Sequence, residues 1–224
     1  MEVFVGTSGW SYGWNRGSSL EWYVQESGLN AVELNMSYYR FPFPNMVASW
    51  AKKGKNLAWV IKVNRQVTHY SRLNPKSYPT FRKFLKTFEP LDEYIHYYLL
   101  QLPPRFRDLD AVAHFAEEFA HANLAVEFRD ASVFTDEVKR WGKEHGVLLV
   151  SVDAPDLPLE IMSEKHVYER IHGRTGWYDH DYSASELKEI RDRILATNPH
   201  RVHVFFNNNH AMLKNAQQMY KLYY

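Results

Sequence analysis

The chain has 224 residues, 45% of them hydrophobic, which is enough for one sizeable core. Lys and Arg number 27 against 26 Asp and Glu, so the formal net charge is +1 and gives no bulk attraction to nucleic acid or an anionic membrane. Cysteine is absent, which excludes disulfides, iron–sulfur clusters and thiolate zinc sites.

The start, MEVFVGTSGW, carries no basic segment followed by a long apolar run, so no signal peptide is expected. No apolar stretch approaches the roughly 20 residues of a membrane span, and a soluble cytoplasmic protein without membrane contact is the expectation. Short apolar, β-branched or aromatic runs then recur along the chain and read as strands. They are Val3–Gly6, Ala31–Asn35, Leu57–Val63, Ile95–Leu102, Leu124–Arg129, Val147–Asp153, Val167–Gly173 and Val202–Asn207. Several are nearly continuous apolar runs, which suits parallel strands covered on both faces. Helical stripes fall between most of them. Phe81, Phe84, Leu85 and Phe88 form one, and Val112, Phe115, Ala116 and Phe119 the next. Phe134, Val138 and Trp141 follow; Leu187, Ile190 and Ile194 stand behind Ser183-Ala184-Ser185-Glu186, a capping-box pattern. Met212, Ala216 and Met219 give a closing helix. These patterns predict an α/β fold, a single (β/α)8 TIM-barrel-like domain over residues 1–224 with parallel strands. One helix is weak or missing between the sixth and seventh strands, where Ala154–His166 holds Pro155 and Pro158. An open doubly wound sheet is the competing arrangement.

In either architecture ligands bind at the C-terminal ends of the strands. The second strand sets Glu33 and Asn35 on one face, and the third carries Lys62 alone among apolar neighbours. The fourth ends at Gln101. The fifth, Ala125-Val126-Glu127-Phe128-Arg129-Asp130, turns Glu127 and Arg129 to one side and Val126 and Phe128 to the other. The sixth offers Ser151 and Asp153, the seventh Tyr168, Arg170 and His172, and the eighth runs into Asn207, Asn208 and Asn209. A charged group on an otherwise apolar strand is expensive to bury. Its repetition at the same end of most strands points to a site, although any one pair could simply fill the interior.

A set of motifs in order along the chain carries a family resemblance. They are Gly6-Thr7-Ser8-Gly9-Trp10, Val32-Glu33-Leu34-Asn35 with Tyr38-Tyr39-Arg40, and Val60-Ile61-Lys62-Val63 with Thr68-His69. Leu100-Gln101-Leu102-Pro103-Pro104, Ala125-Val126-Glu127-Phe128-Arg129, Tyr168-Glu169-Arg170-Ile171-His172-Gly173 and Phe206-Asn207-Asn208 complete it. Together the chain resembles the YecE-like family, a domain of unknown function (DUF seventy-two), over essentially its whole length. The resemblance implies a TIM-barrel-like fold; no activity is established for the family.

The leading functional reading is an enzyme acting on a small anionic substrate, a phosphate ester or a carboxylated sugar-like molecule, by general acid/base chemistry. Arg129, Arg170 and Lys62 would hold the anion. Glu127 or Asp153 would be the general base, with His172 as a proton shuttle and Glu33 as a further acid/base candidate. His69, Asn35 and Asn207 are candidate ligand contacts. Trp10 and Tyr178, on the glycine-containing loops Gly6–Ser18 and Gly173–Tyr182, are placed to stack on a ligand or close over it. No cofactor is predicted. A divalent metal enters only with a second reading, a metal-dependent phosphodiester hydrolase acting on DNA, in which Glu33, Glu127, Asp153, His69 and His172 supply ligands. The interleaved cations oppose it. A third reading is a non-catalytic nucleic-acid or ligand-binding module using Arg65, His69, Arg72 and Lys76 among Tyr70 and Tyr78, with a solvated surface loop as its equal alternative. The sequence does not fix the oligomeric state.

Overall fold

All strands run parallel in one sheet, as continuous apolar runs demand. The computed structural model describes residues Met1–Tyr224. The strands are β1 (Glu2–Thr7), β2 (Ala31–Leu34), β3 (Ala58–Lys62), β4 (Ile95–Gln101), β5 (Leu124–Glu127), β6 (Leu148–Leu149), β7 (Ser151–Asp153), β8 (His166–Ile171) and β9 (Arg201–Phe206). Their order is β6-β5-β4-β3-β2-β1-β9-β8-β7. Only Val150 separates β6 from β7, so the two ends of the sheet are one continuous stretch of chain. The Val150 amide still donates to the Val126 carbonyl at 2.9 Å. The nine strands therefore make eight staves of a TIM-barrel-like ring, and the sixth stave changes partner from β5 to β8 at Val150.

Helices cover the outside: α1 (Leu20–Glu26), α2 (Met36–Tyr39), α3 (Pro44–Lys53), α4 (Tyr78–Phe88), α5 (Leu109–Glu118), α6 (Asp136–Glu144), α7 (Ala184–Ala196) and α8 (Met212–Tyr223). The five expected stripes lie on or beside α4 to α8, and the capping box of Ser183 and Glu186 forms at the start of α7. No helix forms in Ala154–His166. Helices α1 and α3 left little trace in the sequence, because each buries only two side chains, Leu20 and Tyr23 in one and Val47 and Trp50 in the other. No helix is long and apolar enough to cross a membrane.

Register decides which side chains enter the ring. Parallel partners share a face, so Arg170, paired with Val152 and Phe205, points inward with them, and Ile171 and Asp153 point outward together. Glu33 aligns with Val60 and Glu127 with Gln101. Staves β1 and β2 approach so closely that a Cβ on Gly6 would lie 2.2 Å from the Ala31 carbonyl oxygen.

Candidate active site

Three staves contribute a fully buried charged core. Glu33 of β2 accepts from Ser8 Oγ at 2.7 Å, from Arg170 Nε at 2.8 Å and Nη2 at 2.6 Å, and from the Tyr168 hydroxyl. The remaining amino group of Arg170, Nη1, donates to Glu127 of β5, which also accepts from Arg129 Nε. Arg170 thus spans the ring interior and bridges two carboxylates, with all its nitrogens engaged. Burial alone would raise both carboxyl pKa values, but the guanidinium charges and hydrogen bonds outweigh it. Glu33 is held below the usual range, and Glu127, facing two arginines, well below it.

His172, just past β8, is fully buried beside this core. Its Nε2 lies 3.1 Å from Arg129 Nη2 and 3.3 Å from Arg170 Nη1. Guanidinium groups only donate, so Nε2 accepts from them and the ring is neutral; on its other side the amide nitrogen of Asn207 lies 3.4 Å from Nδ1. Burial, then Arg129 and Arg170, hold its pKa well below that of a free histidine. Such a group does not take up a proton near neutrality, which weakens it as a shuttle.

Lys62 closes the mouth end of β3 and is different. It is 8% exposed, forms no ion pair, and its Nζ sits 4.5 Å over the Tyr38 ring. Burial first, and then the Arg170 charge, push its pKa down to about 7 against the weaker pull of Glu127 and Glu33. His69, half-buried, meets the same Tyr38 ring edge-on at 5.2 Å and bonds Thr68 Oγ1 at 2.9 Å. It rides on a π-helical turn, Gln66–Tyr70, a conformation often found at functional sites. Burial, Lys62 and Arg129 depress its pKa to about 4.

Aromatic residues roof the mouth. Arg129 stacks on Trp177 at 4.5 Å, and Trp177 Nε1 is tied to Asp156 at 3.0 Å. Tyr178, 42% exposed, stands edge-on to His172 at 5.3 Å, and its amide donates to the His172 carbonyl at 2.7 Å. The turn into this loop needs Gly173, whose φ is +117° and whose added Cβ would lie 2.5 Å from the Gly176 carbonyl oxygen. At the end of β2, Asn35 Oδ1 is buried without a partner. A cleft of about 400 Å³ opens elsewhere, beside Ile95 and Tyr98 towards the opposite end of the barrel, and includes no member of this cluster.

The structure therefore brings together Glu33, Lys62, His69, Glu127, Arg129, Arg170, His172, Asn207 and Tyr178. Two expected residues are placed elsewhere. Asp153 faces outward from β7, where Arg174 donates to it at 2.8 Å and Tyr182 at 2.7 Å. Trp10 packs behind β3, edge-on to Trp50 and Trp59 at 5.7 and 5.8 Å. Ser8 and Tyr38 also join the site, as do Tyr168, which alternates with Arg170 and His172 on β8, and Trp177, from the aromatic loop Gly173–Tyr182 expected to cover it. Of these, Tyr168 carried the clearest signal, its two-residue spacing from Arg170. The donors of the metal reading do not converge: Arg170 lies between Glu33 and Glu127, Asp153 is outside the ring, and no three His, Asp or Glu are placed to hold an ion.

Fold and site together define a TIM-barrel protein whose interior is charge-paired up to its C-terminal mouth. The chain belongs to the DUF72 family: the profile described as "Protein of unknown function DUF72" matches residues 4–223, as the YecE-like resemblance implied. It is similar to a DUF72 family protein from Thermotoga maritima MSB8, with 27% identity, 100% of this chain and 99% of that chain covered, and a TM-score of 0.84. A DUF72 family protein from Enterococcus faecalis V583 aligns with 25% identity over 99% of this chain and 97% of that one, TM-score 0.84. A xylose isomerase domain containing protein from Salmonella typhimurium LT2 shares the fold at 12% identity, covering 91% of this chain and 88% of that one, TM-score 0.54. No curated protein matches the sequence.

Proposed function

We propose that the mouth binds a small anion bearing phosphate or carboxylate and transforms it by acid/base chemistry. One observation carries this reading: Lys62 is a buried cation with no carboxylate partner. The interior holds two carboxylates, Glu33 and Glu127, against three cations, Arg170, Arg129 and Lys62. An anionic ligand would supply the missing negative charge and restore the Lys62 proton. Arg170 is saturated by carboxylates and serves as a positioning residue. Arg129 keeps Nη1 without a hydrogen bond, so Lys62 and Arg129 are the ligand-facing cations, with His69, Asn35 and Asn207 as neutral neighbours. The acid/base group of this reading is Lys62, whose pKa burial pushes down to about 7, rather than Glu127, whose proton affinity the two arginines suppress.

The test is a titration with inorganic phosphate and small carboxylates, followed by calorimetry and by the NMR signal of labelled Lys62. Saturable binding with a rise in the Lys62 pKa is expected, weakened by roughly tenfold or more in Lys62→Met and Arg129→Met. No saturable anion binding and an unmoved Lys62 signal would remove the reading.

A second reading rests on a separate surface. Arg65 lies 5.9 Å from the Tyr39 ring and 5.6 Å from the Tyr70 ring, and both tyrosines are about two-thirds exposed, at 66% and 68%. Two open rings around a guanidinium suit the stacking of single-stranded nucleic acid. The platform is smaller than the loop suggested, since Tyr78 packs against Phe115 and Phe119 and Arg72 lies over Phe106. Steeply salt-dependent oligonucleotide affinity supports this reading; no binding at low salt excludes it.

A further inference from the structure

We propose that Lys62 forms a covalent imine with a small carbonyl compound carrying an anionic group, either a 2-oxo acid or a phosphorylated ketone or aldehyde. The proposal rests on the anion-binding reading and adds the reacting atom, Lys62 Nζ.

A lysine whose only task is to hold an anion gains from a permanent charge, and arginine would do that better. Lys62 is built the other way. Each arginine at the mouth is bonded to a carboxylate, Arg170 to Glu33 and Glu127 and Arg129 to Glu127, while Lys62 Nζ has no hydrogen-bond acceptor and rests on the Tyr38 ring face at 4.5 Å. Desolvation and neighbouring cations are the two means by which a lysine amine is made nucleophilic, and Lys62 has both, through its burial and through Arg170 and Arg129. At a pKa of about 7, half of the amines are neutral near physiological pH. Its position at the C-terminal end of a barrel strand faces it towards the side from which ligands enter. Arg129 Nη1, unbonded, is the donor available to the anionic group.

The chemistry balances without an oxidant or reductant. The Nζ lone pair attacks the carbonyl carbon, and the C=O π pair moves to oxygen, which takes up the proton that nitrogen loses. The resulting carbinolamine expels its hydroxyl with a second proton as water, and the C=N bond forms. Amine plus carbonyl thus gives imine plus water. A protonated imine withdraws electrons from the adjacent carbon, so the reaction class is cleavage or migration at a C–H or C–C bond next to the carbonyl. Half-buried His69, edge-on to the same Tyr38 ring and with its pKa depressed to about 4, stays neutral at physiological pH and is, like His172, a poor proton acceptor.

The experiment incubates the whole protein with pyruvate or with dihydroxyacetone phosphate, each with sodium borohydride to reduce any imine, and maps adducts by peptide mass spectrometry. Binding without borohydride is measured in parallel by calorimetry. The expected result is one dominant adduct at Lys62, its rate rising through about pH 7, and its loss to background in Lys62→Arg, which keeps the cation but cannot form the imine. The probe that is trapped identifies the anionic group. Saturable binding with no Lys62 adduct overturns the imine and leaves the anion site standing; neither binding nor adduct overturns both. Adducts spread equally over surface lysines and unchanged in Lys62→Arg also overturn it. If that variant fails to fold, competition replaces it: inorganic phosphate is expected to suppress Lys62 labelling, and labelling indifferent to phosphate overturns the proposal.

Discussion

Two clusters of charge lie on opposite faces of β8, and they are balanced differently. Inside the ring, three cations meet two carboxylates. Outside it, between β7, β8 and α7, two buried acids meet two arginines: Arg174 bonds Asp153 and the exposed Glu189, and Arg193 lies 3.5 Å from Glu169 and 3.8 Å from Asp153. Each cluster holds one member whose pairing is weak or absent. Outside it is Glu169, whose Oε2 is buried and unbonded and whose pKa burial and Asp153 push up to about 8 against the pull of Arg193. Inside it is Lys62, pushed down to about 7. The same desolvation makes one group keep a proton and the other release one. The outer cluster ties a helix to the barrel and is closed by its own side chains. The inner one ends at the C-terminal mouth, where the proposed ligand would correct the balance.

The largest expected effect breaks the inner cluster at its bridge. Arg170→Met leaves Glu33 and Glu127 buried without their shared counter-charge and is expected to lower unfolding stability by about 3–5 kcal/mol in urea titrations. Arg174→Met, at a partner one-fifth exposed (20%), should lose clearly less. Equal losses would show that the two clusters are equally closed. The next effect is a pair of opposed pH slopes. The folded pKa of Glu169, about 8, lies above its ordinary 4.5, so its contribution is complete below about pH 4.5 and is lost as pH rises to about 8. The folded pKa of Lys62, about 7, lies below its ordinary 10.5, so its contribution is complete above about pH 10.5 and is lost as pH falls towards 7. Glu169→Gln should flatten the first slope and Lys62→Met the second, each by on the order of 2–4 kcal/mol over its window. Stability measured across pH checks both, and unchanged profiles would mean that these groups are better solvated than their burial implies. Tyr168→Phe removes one hydrogen bond to the charged Glu33 while Ser8 and Arg170 remain, and should lose ~1.5–3 kcal/mol. The smallest effect is expected for Trp177→Leu, ~0.5–1 kcal/mol from the Arg129 stack, with a modest loss of anion affinity.

The alternation of Tyr168, Arg170 and His172, and the lone Glu33 and Lys62, were legible because each strand places charge among apolar neighbours at a fixed two-residue period. That Arg170 would reach both Glu33 and Glu127, and so be unavailable to a ligand, was not legible, since it depends on distances between staves far apart in sequence. Asp153 was misplaced for a related reason. Val147–Asp153 begins apolar on both faces and turns polar on one only at Ser151 and Asp153, so period alone does not say which side turns inward; the pairing of Val152 with Arg170 does. Trp10 could not be placed because a glycine-containing loop has no period at all. The unpartnered state of Lys62 is likewise a property of the assembled ring.

The split stave and the long reach of Arg170 bear on the order in which the molecule can assemble. Glu33 waits for an arginine 137 positions downstream, and β1 acquires its second neighbour only when Arg201–Phe206 has been made. Contacts of such sequence separation form late and slow folding. A growing chain therefore carries its two future core carboxylates hydrated and ordinary in acidity for most of synthesis. The unusual amine at the mouth comes into being only with ring closure, so any reactivity it has is withheld from every truncated or half-folded form of the chain.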